Sequence, residues 1–181
     1  SHPDLFATGD DKDSVWFSSD AGGQTTLYHE GVVFSATDAI FYVKVDLSST
    51  ADTVIYFWYG TPAITGTESK TNVWTNAQAI YHFEGGATDS SANGYNLTVS
   101  GATRGTNYGK VNEGYYFDGN DYAYTGSNPT DGTRLTIISW VKTVSSSNDR
   151  TIASKASTSS NIGWILYISG TEQIAFYVSA N

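Results

Sequence analysis

The chain contains no cysteine. Disulfides and thiolate metal sites are thereby excluded, and any bound metal must be held by oxygen or imidazole, which makes calcium the natural candidate although no cofactor is required. Basic residues are scarce: nine Lys and Arg stand against eighteen Asp and Glu, for a formal net charge of −9. The positive footprint that attracts phosphate backbones is missing, so no nucleic-acid partner is expected. No run of about twenty apolar residues occurs, so neither a spanning helix nor membrane insertion is expected. There is also no initiator Met and no basic segment leading into an apolar run, so the sequence reads as processed or as cut from something larger. Low Lys with abundant Ser, Thr, Asn and Tyr points outward, to an extracellular, cell-surface or virion-surface location.

What the chain does carry is aromatic. Thirteen Tyr, eight Phe and five Trp speak against disorder, because each ring can bury a large apolar area or line a binding face. With 39% apolar and only 15% charged residues, the composition suits short strands joined by many polar turns. At 181 residues the chain accommodates one large β domain or two small ones.

Along the chain, Val15-Trp16-Phe17 and Thr25-Thr26-Leu27-Tyr28 flank a turn-rich Ser-Ser-Asp-Ala-Gly-Gly stretch and read as a hairpin. Residues 39–45 alternate as a half-buried strand does. The almost unbroken β-branched and aromatic run from Thr53 to Tyr59 predicts a central strand. Residues 61–76 lose the hydrophobic period and gather Thr, Ser, Gly and Asn, so a linker is placed at 63–77, between a small β domain at 1–62 and a second domain at 78–181. Further strands are expected at 79–83, 97–99, 114–117, 135–142, 151–154, 163–168 and 174–178. Helix is almost unsupported, with one short turn allowed at 67–74.

Four segments share an order and spacing: YHFEGGATDSSANGYNLTV (81–99), GYYFDGNDYAY (114–124), LTIISWVKT (135–143) and RTIASK (150–155). This arrangement resembles the LamG branch of the concanavalin-like lectin/glucanase superfamily. DSVWFSSDAGGQTTLYHE (13–30), AIFYVKVDLSSTADTVIYFWYG (39–60) and Val73-Trp74 resemble the small β domain that often precedes LamG domains in bacterial, archaeal and viral surface proteins. The resemblance implies an all-β fold, an antiparallel jelly-roll sandwich preceded by a small β-sandwich. It also implies that both are incomplete, the first at its N-terminal end and the second at its C-terminal end, with more chain or a neighbouring copy covering the exposed edges.

Several clusters have two readings. Asp89-Ser90-Ser91-Ala92-Asn93-Gly94 offers the oxygen set calcium prefers, with Asp89 and Asn93 as ligands, but Asx and Ser side chains also cap turns. Asp118-Gly119-Asn120-Asp121 reads first as a hairpin turn and second as ligands Asp118 and Asp121. Asn148 and Asp149 lie in the loop that corresponds to a calcium loop of the related pentraxin lectins, where the order of the two residue types is reversed. Tyr95, Tyr108, Tyr122 and Tyr124 sit beside turns, where exposed rings stack on pyranose C–H faces. Trp58, Trp74, Trp140 and Trp164 are expected in the core.

Catalysis is not expected. Glu30, Glu68, Glu84, Glu113 and Glu172 have no acidic partner at short alternating spacing, and His2, His29 and His82 sit apart. His82 reads as a hydrogen-bonded structural residue of a strand. Asn96-Leu97-Thr98 fits an N-glycosylation acceptor, a triplet that is common by chance. The expected function is a non-catalytic carbohydrate-binding or adhesion module whose partner is a glycan or cell-surface polysaccharide. The alternatives are a decoration or fibre subunit contacting other subunits of a surface assembly, and an accessory domain of a glycoside hydrolase.

Overall fold

The computed structural model describes residues 14–34, 37–60, 67–126, 134–156 and 163–179. Among these the chain is nearly all β, with antiparallel sheets and a single four-residue helix. It divides into two compact units, Ser1–Thr130 and Asp131–Asn181. His2 and residues 63–66 of the expected linker lie outside the described residues.

The first unit opens with the expected hairpin, β1 (Val15–Ser18) against β2 (Thr26–Leu27). Asp20 shapes its turn: Oδ1 accepts the Gly22 and Gln24 N–H groups and Oδ2 accepts that of Thr25 at 2.5 Å. These donors hold the exposed Asp20 carboxyl below its ordinary value, the Thr25 bond contributing most. Gly23, at φ +71, takes the left-handed position the turn requires, under the Trp58 ring. On the other side β1 pairs with β5 (Tyr56–Tyr59), aligning Trp16 with Trp58, whose rings stack 5.9 Å apart.

The core here is small. Val15 and Phe17 are buried, and the Phe17 ring meets His29, Phe41 and Phe57 at centroid separations of 5.3, 5.6 and 5.1 Å. His29 and Phe41 lie on β3 (His29–Phe34) and β4 (Ala39–Val43), a second antiparallel pair. Its register slips between Gly31 and Val33, so Val32 forms a bulge. The helix, α1 (Lys70–Val73), is tied to β4's end, where Lys44 Nζ donates to Asn72 O and Thr75 Oγ1. The short turn allowed at 67–74 is this helix.

Two nested pairs complete the unit: β6 (Thr98–Ser100) with β9 (Tyr122–Tyr124), and β7 (Thr103–Gly105) with β8 (Gly114–Tyr116). Residues 101–102 on one side face the longer 117–121 on the other. Residues 114–124 are therefore not the hairpin expected from their Asx-Gly chemistry, because β8 and β9 each pair with an earlier strand.

The second unit holds a meander, β10 (Arg150–Ala156), β11 (Gly163–Ile168) and β12 (Ile174–Ser179), at the three positions expected. Arg150 anchors the preceding loop, its Nη2 donating to Ser169 O and to Glu172 Oε1 at 2.9 Å and its Nη1 to Val144 O.

Three strand expectations fail. The run at 53–59 forms a strand only over Tyr56–Tyr59, at the edge of the sheet order β2-β1-β5 and not at its centre. Its aromatic and β-branched composition fits a strand in either position, so composition could not fix the order. Residues 135–142 form no ladder, and Ile138 and Trp140 are 91% and 76% exposed, so Trp140 is not core. An alternating pattern supplies two faces but no partner. Residues 79–83 are likewise irregular, so His82 is not on a strand. Among the described residues no helix is long and apolar enough to cross a membrane.

Candidate functional site

Glu30 is the second residue of β3, and its side chain points inward, leaving the residue 5% exposed. A carboxylate buried this deeply requires donors, and three arrive from distant segments. Oε2 accepts Trp74 Nε1–H at 2.5 Å and bonds His82 Nε2 at 3.0 Å, while Oε1 accepts the Ser90 hydroxyl at 2.6 Å. An ionised carboxylate only accepts, which places a proton on His82 Nε2. The imidazole stacks on Tyr42 at 4.6 Å, and Tyr42 lies opposite Glu30 in the β3–β4 register. Burial alone pushes the Glu30 carboxyl up, but the His82, Ser90 and Trp74 hydrogen bonds and the His82 charge outweigh it and hold the group below its ordinary 4.5.

This hub floors a cavity of about 170 Å3, bounded by the bulged backbone at Gly31 and Val32, by Lys70, and by the 82–90 segment. The His82 and Ser90 side chains both bond the carboxylate. The three groups are thus a hub around an acid, not the nucleophile–base–orienter relay of hydrolases, in which the hydroxyl bonds the imidazole. His82 is hydrogen-bonded as expected, though off any strand. The Glu30 cluster itself carries no local sequence signal, since its partners lie 44, 52 and 60 residues away. Glu30 precedes residues 63–77 and its partners His82 and Ser90 follow them.

Tyr122 and Tyr124 alternate on β9, with rings 5.8 Å apart and 56% and 50% exposed. Their cross-strand neighbours are Ser100 and Thr98, which set hydroxyls beside the rings. Tyr108 is also exposed, and its ring stacks at 5.4 Å on Tyr116, a residue that sequence reasoning did not single out. Tyr116 sits inside an aromatic run whose inner and outer members only pairing could separate. Tyr95 lies elsewhere, in the Asp89 loop, where its carbonyl accepts the Tyr81 hydroxyl at 2.6 Å.

The six candidate metal ligands fall in three places. Asp89 is buried, and four donors reach its carboxylate: the Ile80 and Ser91 N–H groups at Oδ1, and the Ser91 hydroxyl and Tyr95 N–H at Oδ2. Burial raises the Asp89 carboxyl, but these bonds prevail and hold it below 3.8. Asn93, in the same loop, donates Nδ2–H to Ala77 O and Gln78 O. Asp118 and Asp121 belong to the 117–121 excursion, where Asp121 Oδ2 accepts the Asp118 N–H at 2.9 Å. Asn148 and Asp149 lie in the second unit, where Asp149 Oδ1 accepts Gly170 N–H at 3.0 Å. Among the described residues no group of three or more His, Cys, Asp or Glu is arranged to hold a metal ion.

Compared with models of protein families, with curated proteins and with solved structures, the chain gives no match in any of the three.

Proposed function

We propose that the chain is a non-catalytic carbohydrate-binding or adhesion module of a larger extracellular or virion-surface protein, with residues 78–181 belonging to a LamG-like jelly roll. The observation that carries the reading is the Tyr122–Tyr124 pair: two neighbouring rings, half-exposed, on one face of a strand and flanked by hydroxyls. Two rings in a row match successive pyranose C–H faces of a glycan, and the flanking hydroxyls match its polar rim. The stacked Tyr108–Tyr116 pair adds a second exposed aromatic surface within the same unit. The test is a glycan array probed with and without calcium by the wild-type chain and by Tyr122→Ala and Tyr124→Ala. Saturable binding that either substitution weakens supports the reading; binding indifferent to both removes the tyrosines from it.

A specific observation also favours the assembly reading. Strand β12 lies at the edge of its sheet and exposes Ile174, Phe176, Tyr177 and Val178, a row that suits burial against another subunit. Symmetric oligomers in sedimentation, together with a blank array, would favour it.

A further inference from the structure

The cavity beside Glu30 stands apart from the tyrosine rings, and we propose that it is a subsite for one terminal, uncharged pyranose of a glycan. The proposal rests on the carbohydrate reading above and adds to it a location and a charge preference.

Size comes first. At about 170 Å3 the cavity is well below the roughly 300–1,000 Å3 of pockets that enclose drug-sized ligands. A single small ring fits this scale, and a longer chain would have to leave through the mouth.

Backbone irregularity converges on the same spot. At the lining the β3 bulge sets Val32 between the Gly31–Phe41 and Val33–Ile40 pairs. Phe83, also in the lining, adopts φ +63, a left-handed conformation that a bulky L-residue takes only when its surroundings impose it. Such outliers gather at ligand clamps. The Phe83 ring makes an edge contact with Tyr115 at 5.3 Å.

The polar lining offers both donors and acceptors, as the hydroxyls of a sugar require. Lys70 Nζ has three protons and makes one long bond, 3.4 Å to Asp89 O, so its ammonium has donors to offer. The Thr88 and Ser90 hydroxyls each hold acceptor lone pairs, and Ser90 is oriented by its donation to Glu30. Glu84 supplies a further acceptor while its Oε2 is steadied by Asn112 Nδ2 at 2.8 Å. Charge then selects the ligand. The two carboxylates of the lining, Glu30 and Glu84, are balanced by His82, which pairs with Glu30, and by Lys70, so a uronate brings an unmatched negative charge to the site and is disfavoured.

The experiment titrates the full chain with the methyl glycosides of glucose, galactose and mannose as neutral probes and with glucuronate as the anionic probe, followed by NMR. A neutral glycoside is expected to shift the His82 and Thr88 resonances saturably. Lys70→Met and Thr88→Val are each expected to weaken it by about tenfold, the equivalent of one lost hydrogen bond, with circular dichroism confirming that both variants fold. Glucuronate is expected to bind at least as weakly as those variants bind the neutral sugar. If no monosaccharide perturbs His82 or Thr88 while oligosaccharides bind through Tyr122 and Tyr124, the subsite is overturned and the module reading stands. If no saccharide of any length binds, both fall. Tighter binding of glucuronate overturns the charge preference and with it the subsite as described.

Discussion

The Glu30 carboxylate and the His82 imidazole meet at 3.0 Å across 52 residues of sequence, and that contact joins strand β3 to the irregular segment that walls the cavity. Because Trp74 and Ser90 share the same carboxylate, removing it leaves one buried donor, Ser90, and two half-buried ones, Trp74 and His82, without their acceptor.

Glu30→Ala should therefore cost about 3–5 kcal/mol, the range for breaking a buried pair by deleting one partner. Equilibrium unfolding in urea measures it. A loss no larger than that of an ordinary surface substitution would show that the donors find other partners.

Acid should weaken the fold through the same group. A carboxyl held lower in the folded than in the unfolded chain contributes stability that is complete above its unfolded value and fades as pH falls through the folded one. For Glu30 that loss begins near pH 4.5 and proceeds downward, and Asp89, also lowered, adds to it below 3.8. Melting temperature followed from neutral pH into acid should fall in this window, and Glu30→Gln should start lower but decline less steeply.

Asp89 organises its loop by accepting four hydrogen bonds, and Asp89→Asn replaces an acceptor-only group with one that must point an NH2 at donors. The expected loss is about 2–3 kcal/mol, on the order of leaving one or two buried groups unpaired. With its oxygens already engaged by the chain, calcium should leave the wild-type melting temperature unchanged. A rise on adding calcium that Asp89→Asn abolishes would instead place the ion on those oxygens.

Tyr81 gives an alkaline counterpart. Burial, with a smaller contribution from the Asp89 charge, pushes its hydroxyl up to about 12. The folded chain thus keeps the proton that the unfolded chain gives up near its ordinary 10, and stability should fall as pH rises from 10 towards 12. Ultraviolet titration should show a late-ionising component that Tyr81→Phe removes. An early, uniform titration of all tyrosines would contradict the placement.

Two glycines with similar backbone angles should behave differently. Gly101 and Gly94 both have positive φ, +84 and +68, but a Cβ on Gly101 would run into the Asp121 carboxylate whereas one on Gly94 meets nothing within 4 Å. Gly94→Ala should lose about 1 kcal/mol of conformational strain and Gly101→Ala clearly more, up to about 3 kcal/mol. Asp121→Ala in the Gly101→Ala background should recover the steric part. Equal losses at the two sites would place no clash at Gly101.

How much of this was readable in the residues follows from the range over which each feature is specified. The β1–β2 hairpin was legible because Asp20 and the glycines encode its turn within a few positions, and β10 to β12 because their apolar runs are separated by turn chemistry. Sheet order was not: β5 pairs with β1 across some forty residues, so Thr53–Tyr59 could not announce that it would be an edge. The 114–124 segment misled for a related reason, since its Asx-Gly chemistry is real but serves an excursion between two ladders. Tyr122 and Tyr124 were visible as aromatics beside a turn, and their shared face followed from the two-residue period of a strand. The Glu30 hub was invisible, because a lone glutamate looks the same in any loop until the chain brings Trp74, His82 and Ser90 to it.

The nesting of β7–β8 inside β6–β9 has a kinetic consequence for the tyrosine surface. Once the inner pair has closed the loop 106–113, the ends of the outer pair are already tethered, so zipping Thr98–Ser100 onto Tyr122–Tyr124 adds little further loop-closure entropy. Contacts this local are expected to form ahead of the long-range pairings between β1 and β5. The Tyr122–Tyr124 rings are therefore expected to ride on an element that assembles before the unit closes around Glu30, an order that φ-values at Val99 and Ala123 would measure.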